Sequence, residues 1–307
     1  MKFKILSVIL LTTFFSVSAQ HVRLTEPVLL NNEGVCKMPE LSPDGRYIAY
    51  TGERNQGIKI QNLETSEVTV ISDAPGAGWG YSWSPDSRMI IARETFTGKD
   101  GLRTSEIVLY DIGRKARHVL YSQKGKEHIS LPVFSAQGNS IAWAVDSVAL
   151  NYNLAENVIE NGYTSYGNKI LVAPNTAMRV YYENEFAAGE ILSTVISPEE
   201  TKLAVHAAGN GTMIFDHVTG GKSGIQFAEH PCWYDDNLLV YMQVYDDGYR
   251  ILDADIYIRS VYGGWYQNVT AGFDQPAMYP TASRDGKIAF ATPDGKIYLI
   301  GIELLKP

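Results

Sequence analysis

Six copies of one short phrase, spaced to leave room for four strands each, predict an all-β chain. The fold class is a six-bladed β-propeller with four-stranded antiparallel blades, its ring closed by the N-terminal strand. The first copy is Leu41-Ser42-Pro43-Asp44-Gly45, and Trp83-Ser84-Pro85-Asp86-Ser87 repeats it. Weaker copies begin at Phe134, Ile196, Trp233 and Ala282. Counted from Ser42 through Ser84, Ser135, Ser197, Tyr234 and Ser283, the intervals are 42, 51, 62, 37 and 49 residues. Proline presets the second position of a tight turn, Asp tolerates the third, and Gly or Asn takes positive φ after it. An apolar residue before the turn and a β-rich run after it make each copy a hairpin. Helical periodicity is absent.

With the strands of a blade named A to D from the axis outward, strand A ends at the phrase. Strand B follows at 48–51, 89–93, 140–145, 202–206, 238–242 and 287–292. Strand C is expected at 58–60, 107–110, 170–172, 213–215, 256–258 and 297–300, and strand D at stretches such as 68–71 and 265–269. Pro39, Pro132, Pro231 and Pro280 each stand three residues before the turn position, where a first strand residue loses no ladder donor. The sixth blade has too little chain after its strand C for a fourth strand. Residues 22–30 read as a strand that supplies it and covers an open edge.

Residues 1–19 read as a signal peptide: Lys2 and Lys4, an apolar stretch over 5–15, then Val17-Ser18-Ala19 at the cleavage positions. The apolar stretch is short for a membrane span, and no later run reaches that length, so no transmembrane segment is expected in the mature chain. Cys36 lies too far downstream to be a lipid-anchor cysteine. The expected product is a single propeller domain over 20–307, periplasmic or secreted and monomeric. Losing Lys2 and Lys4 moves the formal charge from −8 to −10, and no basic run is present, which argues against nucleic acid and anionic membranes. Cys36 and Cys232 precede the first and fifth repeats, which are not neighbours in a six-fold ring, so two buried free thiols are expected.

The phrase Trp-Ser-Pro-Asp with an Ile-Ala-Tyr strand, and Asp255-Ile256-Tyr257-Ile258 followed by Gly263-Gly264 and Asn268-Val269-Thr270, resemble the propeller repeats of the TolB family, the periplasmic component of the Tol system. The resemblance runs from about Val22 to Glu303. It implies the repeat type and not a function. TolB carries a further α/β domain before its propeller, for which this chain has no room. The same repeats precede the hydrolase domain of prolyl-oligopeptidase relatives, which is also missing here.

Because strands alternate in direction, A–B and C–D turns share one face, and B–C and D–A connections share the other. Extra length falls on the second face, in B–C loops expected at 95–105, 146–167 and 245–253 and D–A crossings at 122–130, 183–192 and 271–279. Such elaboration on a rigid scaffold is where binding residues concentrate. Glu127-His128 and Glu229-His230 each precede a strand A at the channel rim. They read as an acid–base or metal pair, or as solvated rim residues, and their spacing matches no metal motif. Trp79, Tyr163, Tyr166, Tyr245, Tyr249 and Tyr279 fall on or beside the same face and offer rigid contact area with a polar handle, or else packing. Asp246-Asp247-Gly248 lacks the alternating spacing of a calcium loop. No Gly-x-Ser-x-Gly elbow occurs, and Gly76–Gly80 lacks the Lys-Ser/Thr of a phosphate loop. No cofactor, metal or catalytic residue is expected. The function expected is non-enzymatic binding of a protein, peptide or glycan, the alternative being a carbohydrate- or peptide-active enzyme at the channel mouth.

Overall fold

In the computed structural model the described residues are 21–30, 34–125, 128–135, 137–146, 148–156, 158–160, 164–166, 169–171 and 191–305. Two short strands open the chain, β1 (Val22–Leu24) and β2 (Val28–Leu29). Blade one is β3 (Lys37–Leu41), β4 (Tyr47–Thr51), β5 (Ile58–Asn62) and β6 (Val68–Ser72). Blade two is β7 (Ser82–Trp83), β8 (Met89–Thr97), β9 (Arg103–Asp111) and β10 (Ala116–Lys124). Blade three is β11 (Val133–Phe134), β12 (Ser140–Val145), β13 (Val148–Asn153) and β14 (Val158–Glu160). A two-stranded hairpin, β15 (Thr164–Tyr166) and β16 (Lys169–Leu171), comes next, and β15 lies beside β12 and the first strand of blade four.

Blade four is β17 (Ile191–Ile196), β18 (Lys202–Ala207), β19 (Gly211–Asp216) and β20 (Lys222–Ile225). Blade five is β21 (Glu229–Trp233), β22 (Leu238–Asp246), β23 (Ile251–Ser260) and β24 (Tyr266–Asn268). Blade six is β25 (Met278–Ser283), β26 (Lys287–Ala291) and β27 (Ile297–Leu304). Both β1 and β2 pair with β27, Val22 opposite Leu304 and Val28 opposite Leu299, so the N-terminal segment closes the ring as the sequence predicts. Among the described residues no helix is long and apolar enough to cross a membrane.

The repeated phrase works through its serine. The Ser42 hydroxyl donates to Asp44 Oδ1 at 2.7 Å and accepts the Tyr47 N–H at 2.9 Å. Ser84 does the same with Asp86 and Met89 at 2.6 and 2.9 Å. Ser135 and Ser197 accept the Ser140 and Lys202 N–H groups. Ser42, Ser84 and Ser197 are buried and Ser135 is half-buried, and each is committed to its turn. The turns also interlock around the ring. Asp44 N–H donates to Ser87 Oγ, Arg284 N–H donates to the Pro43 carbonyl, and Asp236 accepts the Glu199 N–H. Gly45 has φ of +67°, and a Cβ there would lie 2.0 Å from the Asp285 carboxylate, so a side chain at 45 would separate blades six and one. The tryptophans of the phrase add a second link. Trp83 Nε1–H donates to the Glu40 carbonyl of the preceding blade at 2.9 Å, and Trp233 Nε1–H to Val195 at 3.0 Å.

The core lies between blades. Ile58 and Ile60 pack on Ile90 and Val108, Ile107 on Trp143, and Val240 and Ile256 on Ile288 and Phe290. Middle strands are covered on both faces, which is why they read as continuous apolar runs.

Three sequence expectations are corrected. Strand C of blade three is β13, not 170–172: it pairs with β12 along its whole length, up to Val145 opposite Val148. The loops expected at 95–105 and 245–253 are mostly strand: Thr97 pairs with Arg103, and Asp246 with Ile251. β22 is thus four residues longer than β4, so its ribbon projects roughly 13 Å further at about 3.4 Å per residue. Pro39, Pro231 and Pro280 lie inside strand A rather than at its first residue; each follows a left-handed residue, Met38, His230 or Tyr279, at a one-residue β-bulge. The bulge leaves the proline nitrogen outside the ladder. Neither cysteine forms a disulfide; Cys36 is buried as expected, whereas Cys232 is only half-buried.

Candidate functional site

The bulges bring side chains from three successive blades to the channel end nearest the B–C connections. His230 sits edge-on to Tyr279, ring centroids 4.8 Å apart, and 6.4 Å from the ring of His206 in β18. Burial, together with His206, pushes His230 down to about 4, so it is neutral at pH 7. Burial also lowers His206. Glu229 is raised by burial and by Asp246 at the end of β22, and Tyr279 by burial and by Glu229. The group therefore combines a neutral imidazole with a carboxyl whose proton is held more tightly than usual. Deeper in the channel, Glu40 accepts the Thr281 hydroxyl at 3.3 Å; burial, only partly offset by that bond, pushes it up to about 8.

Of the residues named from sequence, Glu229, His230 and Tyr279 belong to this cluster. His128 does not: it lines a cleft between blades two and three, its backbone N–H donating to Asp146. Glu127 and Tyr163 lie outside the described residues, and Tyr166 ends β15. Trp79 is exposed on the link from blade one to blade two. Tyr245 lies 3.5 Å, oxygen to oxygen, from Tyr257, which stacks on Tyr241, so an aromatic ladder runs up blade five. Tyr249 is fully exposed at the ribbon tip. Asp246 and Asp247 accept the Gly248, Tyr249 and Arg250 N–H groups of that tip, so the acidic run folds its own turn.

Sequence reasoning did not single out Phe96, Leu102, Phe227, Ile251 and Leu252, all exposed on the same face. The stretches that hold Phe96, Leu102, Ile251 and Leu252 read as loops, and Phe227 lies on the short link between blades four and five, outside every loop the sequence marks. On the opposite face, of the exposed large hydrophobics, the turns carry Val218 and Tyr262.

No protein-family model matches the chain, and no curated protein matches it. Solved structures match at low identity and show the fold. TolB from Acinetobacter baumannii is 18% identical with a TM-score of 0.51, over 78% of this chain and 55% of that one. This chain thus spans about half the length of that TolB chain. An oligogalacturonate lyase from Vibrio parahaemolyticus is 11% identical with a TM-score of 0.60, over 90% and 93%. A chain of a mitotic checkpoint complex is 14% identical with a TM-score of 0.55, over 96% and 98%.

Proposed function

We propose that this is an exported, non-enzymatic propeller that binds a protein, peptide or glycan through the face of its B–C and D–A connections. The observation that carries the reading is one-sidedness. Trp79, Phe96, Phe227, Tyr245, Tyr249 and Leu252 are exposed on that face, on links and projecting ribbons, where folding gives them little to pack against. Exposed aromatic and aliphatic side chains grouped on one side mark interaction surfaces. Residues 1–19, with their basic start and apolar stretch, are proposed as the signal that takes a single propeller domain to the periplasm or beyond. The test is crosslinked capture from an envelope extract by the mature chain, compared with a Trp79→Ser, Phe227→Ser, Tyr245→Ser, Tyr249→Ser variant and a Val218→Ser, Tyr262→Ser variant. A partner lost only by the first variant supports the reading. Identical capture by all three chains overturns it.

A second reading, an enzyme acting on a carbohydrate or peptide at the channel mouth, is favoured by the meeting of His206, Glu229, His230 and Tyr279. A fold neighbour is named a lyase. Turnover by the wild type that vanishes in a Glu229→Gln, His230→Ala double variant would establish it.

A further inference from the structure

The ribbon of blade two separates its charges by face. Strand alternation and the β8–β9 register, Arg93 opposite Ile107, Thr95 opposite Ser105 and Thr97 opposite Arg103, place both arginines on one side. Glu94 and Glu106, opposite each other, fall on the other side. The acidic side has a cation within the chain: Arg117 reaches Glu94 at 2.7 Å and Glu106 at 2.8 Å. Among the described residues the basic side has no such partner. It lines a cleft of about 510 Å³ with Leu102, Ser105, His128 and Ile129, and no carboxylate is among the described lining residues. Of the described acids around it, Asp100 pairs with Lys124 and Asp146 accepts the His128 N–H.

Arg93 is fixed there, since its guanidinium donates to the Ile129 carbonyl. Burial and the charge of Arg103 both disfavour the Arg93 cation. Two cations on one wall of a cleft, Arg93 half-buried and Arg103 exposed, without a counter-charge from the described residues, are stabilised by an oxyanion that accepts from both. Arginine forks match carboxylate and phosphate geometry in a bidentate way. The volume suits a small molecule.

We propose that the cleft between the blade-two ribbon and blade three binds a small ligand through a carboxylate or phosphate group, which Arg93 and Arg103 grip and the Ser105 hydroxyl borders. The site goes beyond the partner surface, because Trp79, Phe227, Tyr245 and Tyr249 do not line it. Calorimetric titration of the full chain with inorganic phosphate, succinate and glucuronate tests it. At least one probe is expected to bind, with affinity falling as salt rises. Arg103→Ala and Arg93→Lys should each weaken that probe about tenfold or more, as loss of a charge-assisted fork does. Arg93→Lys keeps a donor for the Ile129 carbonyl, and Arg114→Ala, at the far turn of blade two, should change nothing. Tighter binding of phosphate than of both acids assigns a phosphorylated ligand, and the reverse a carboxylate. Absence of binding by all three probes, or affinities equal in wild type and both cleft variants, overturns the proposal.

Discussion

Replacing Asp236 with Asn tests how strongly the interlocked turns hold neighbouring blades together. The Asp236 carboxylate, 13% exposed, accepts the Glu199 N–H at 3.0 Å, the Thr201 hydroxyl, and the Lys202 ammonium at 3.1 Å. Burial disfavours its charge, but bonds from Ser197, Thr201, Glu199 and Lys202 win and hold it down at about 2, against an ordinary 3.8. At about 1.4 kcal/mol per pH unit, the charged form contributes about 2–3 kcal/mol at neutral pH. Removing the charge also strands Lys202, itself 5% exposed, although the Tyr262 ring lies 5.3 Å from its nitrogen. A total loss of about 2–4 kcal/mol follows, a fall in melting temperature of roughly 5–10 °C for a chain of this size. A carboxylate with a depressed value contributes stability that is present above its unfolded value. That stability disappears as pH falls from about 3.8 through about 2. Thermal melts of wild type and Asp236→Asn at a series of pH values should therefore show a gap at neutral pH that narrows towards pH 2. Equal melting points at neutral pH, or a gap that stays open under acid, would refute the reasoning.

Three further outcomes are expected. The imidazole of His230 should titrate near 4 in a proton resonance experiment, and stability should decline as pH falls below 6.5, because the unfolded chain takes its proton first; a midpoint near 6.5 would mean the ring is not buried. Glu40 keeps its proton up to about 8 when folded but ionises near 4.5 when unfolded, so stability should fall as pH rises between those values. Glu40→Gln should remove that decline, and superimposable melts of the two proteins at pH 9 would count against it. Deleting residues 21–30 strips β27 of its outer partners and should lower the melting point and promote association, read by size-exclusion chromatography; a stable monomer would show that closure is dispensable.

What the sequence discloses is set by what each segment buries. Ser42 and Ser84 announce themselves because a hydroxyl that must satisfy its own turn has few substitutes, and the apolar strands after them are covered on both sides. The ribbons in blades two and five were read as loops because Thr95, Thr97, Arg103, Tyr245 and Asp246 face water or each other, so hydrophobic alternation does not mark them. β13 is hard to see because the sequence between it and β12 holds no Gly or Pro. The bulges had a signal, a proline inside a strand, that points to a break in the ladder when the preceding residue is left-handed. Glu229, His230 and Tyr279 were visible as single residues on one face. That His206 joins them depends on the stacking of blades four and five, which no local pattern encodes.

The pairing of β1 with β27 has a kinetic side. Val22 leaves the ribosome long before Leu304, so the first strand made must wait for the last. Contacts so distant in sequence are slow to form. A ring closed by its first and last strands ties the two ends of the chain to one blade, so a pull or a cut at either end acts directly on the closure.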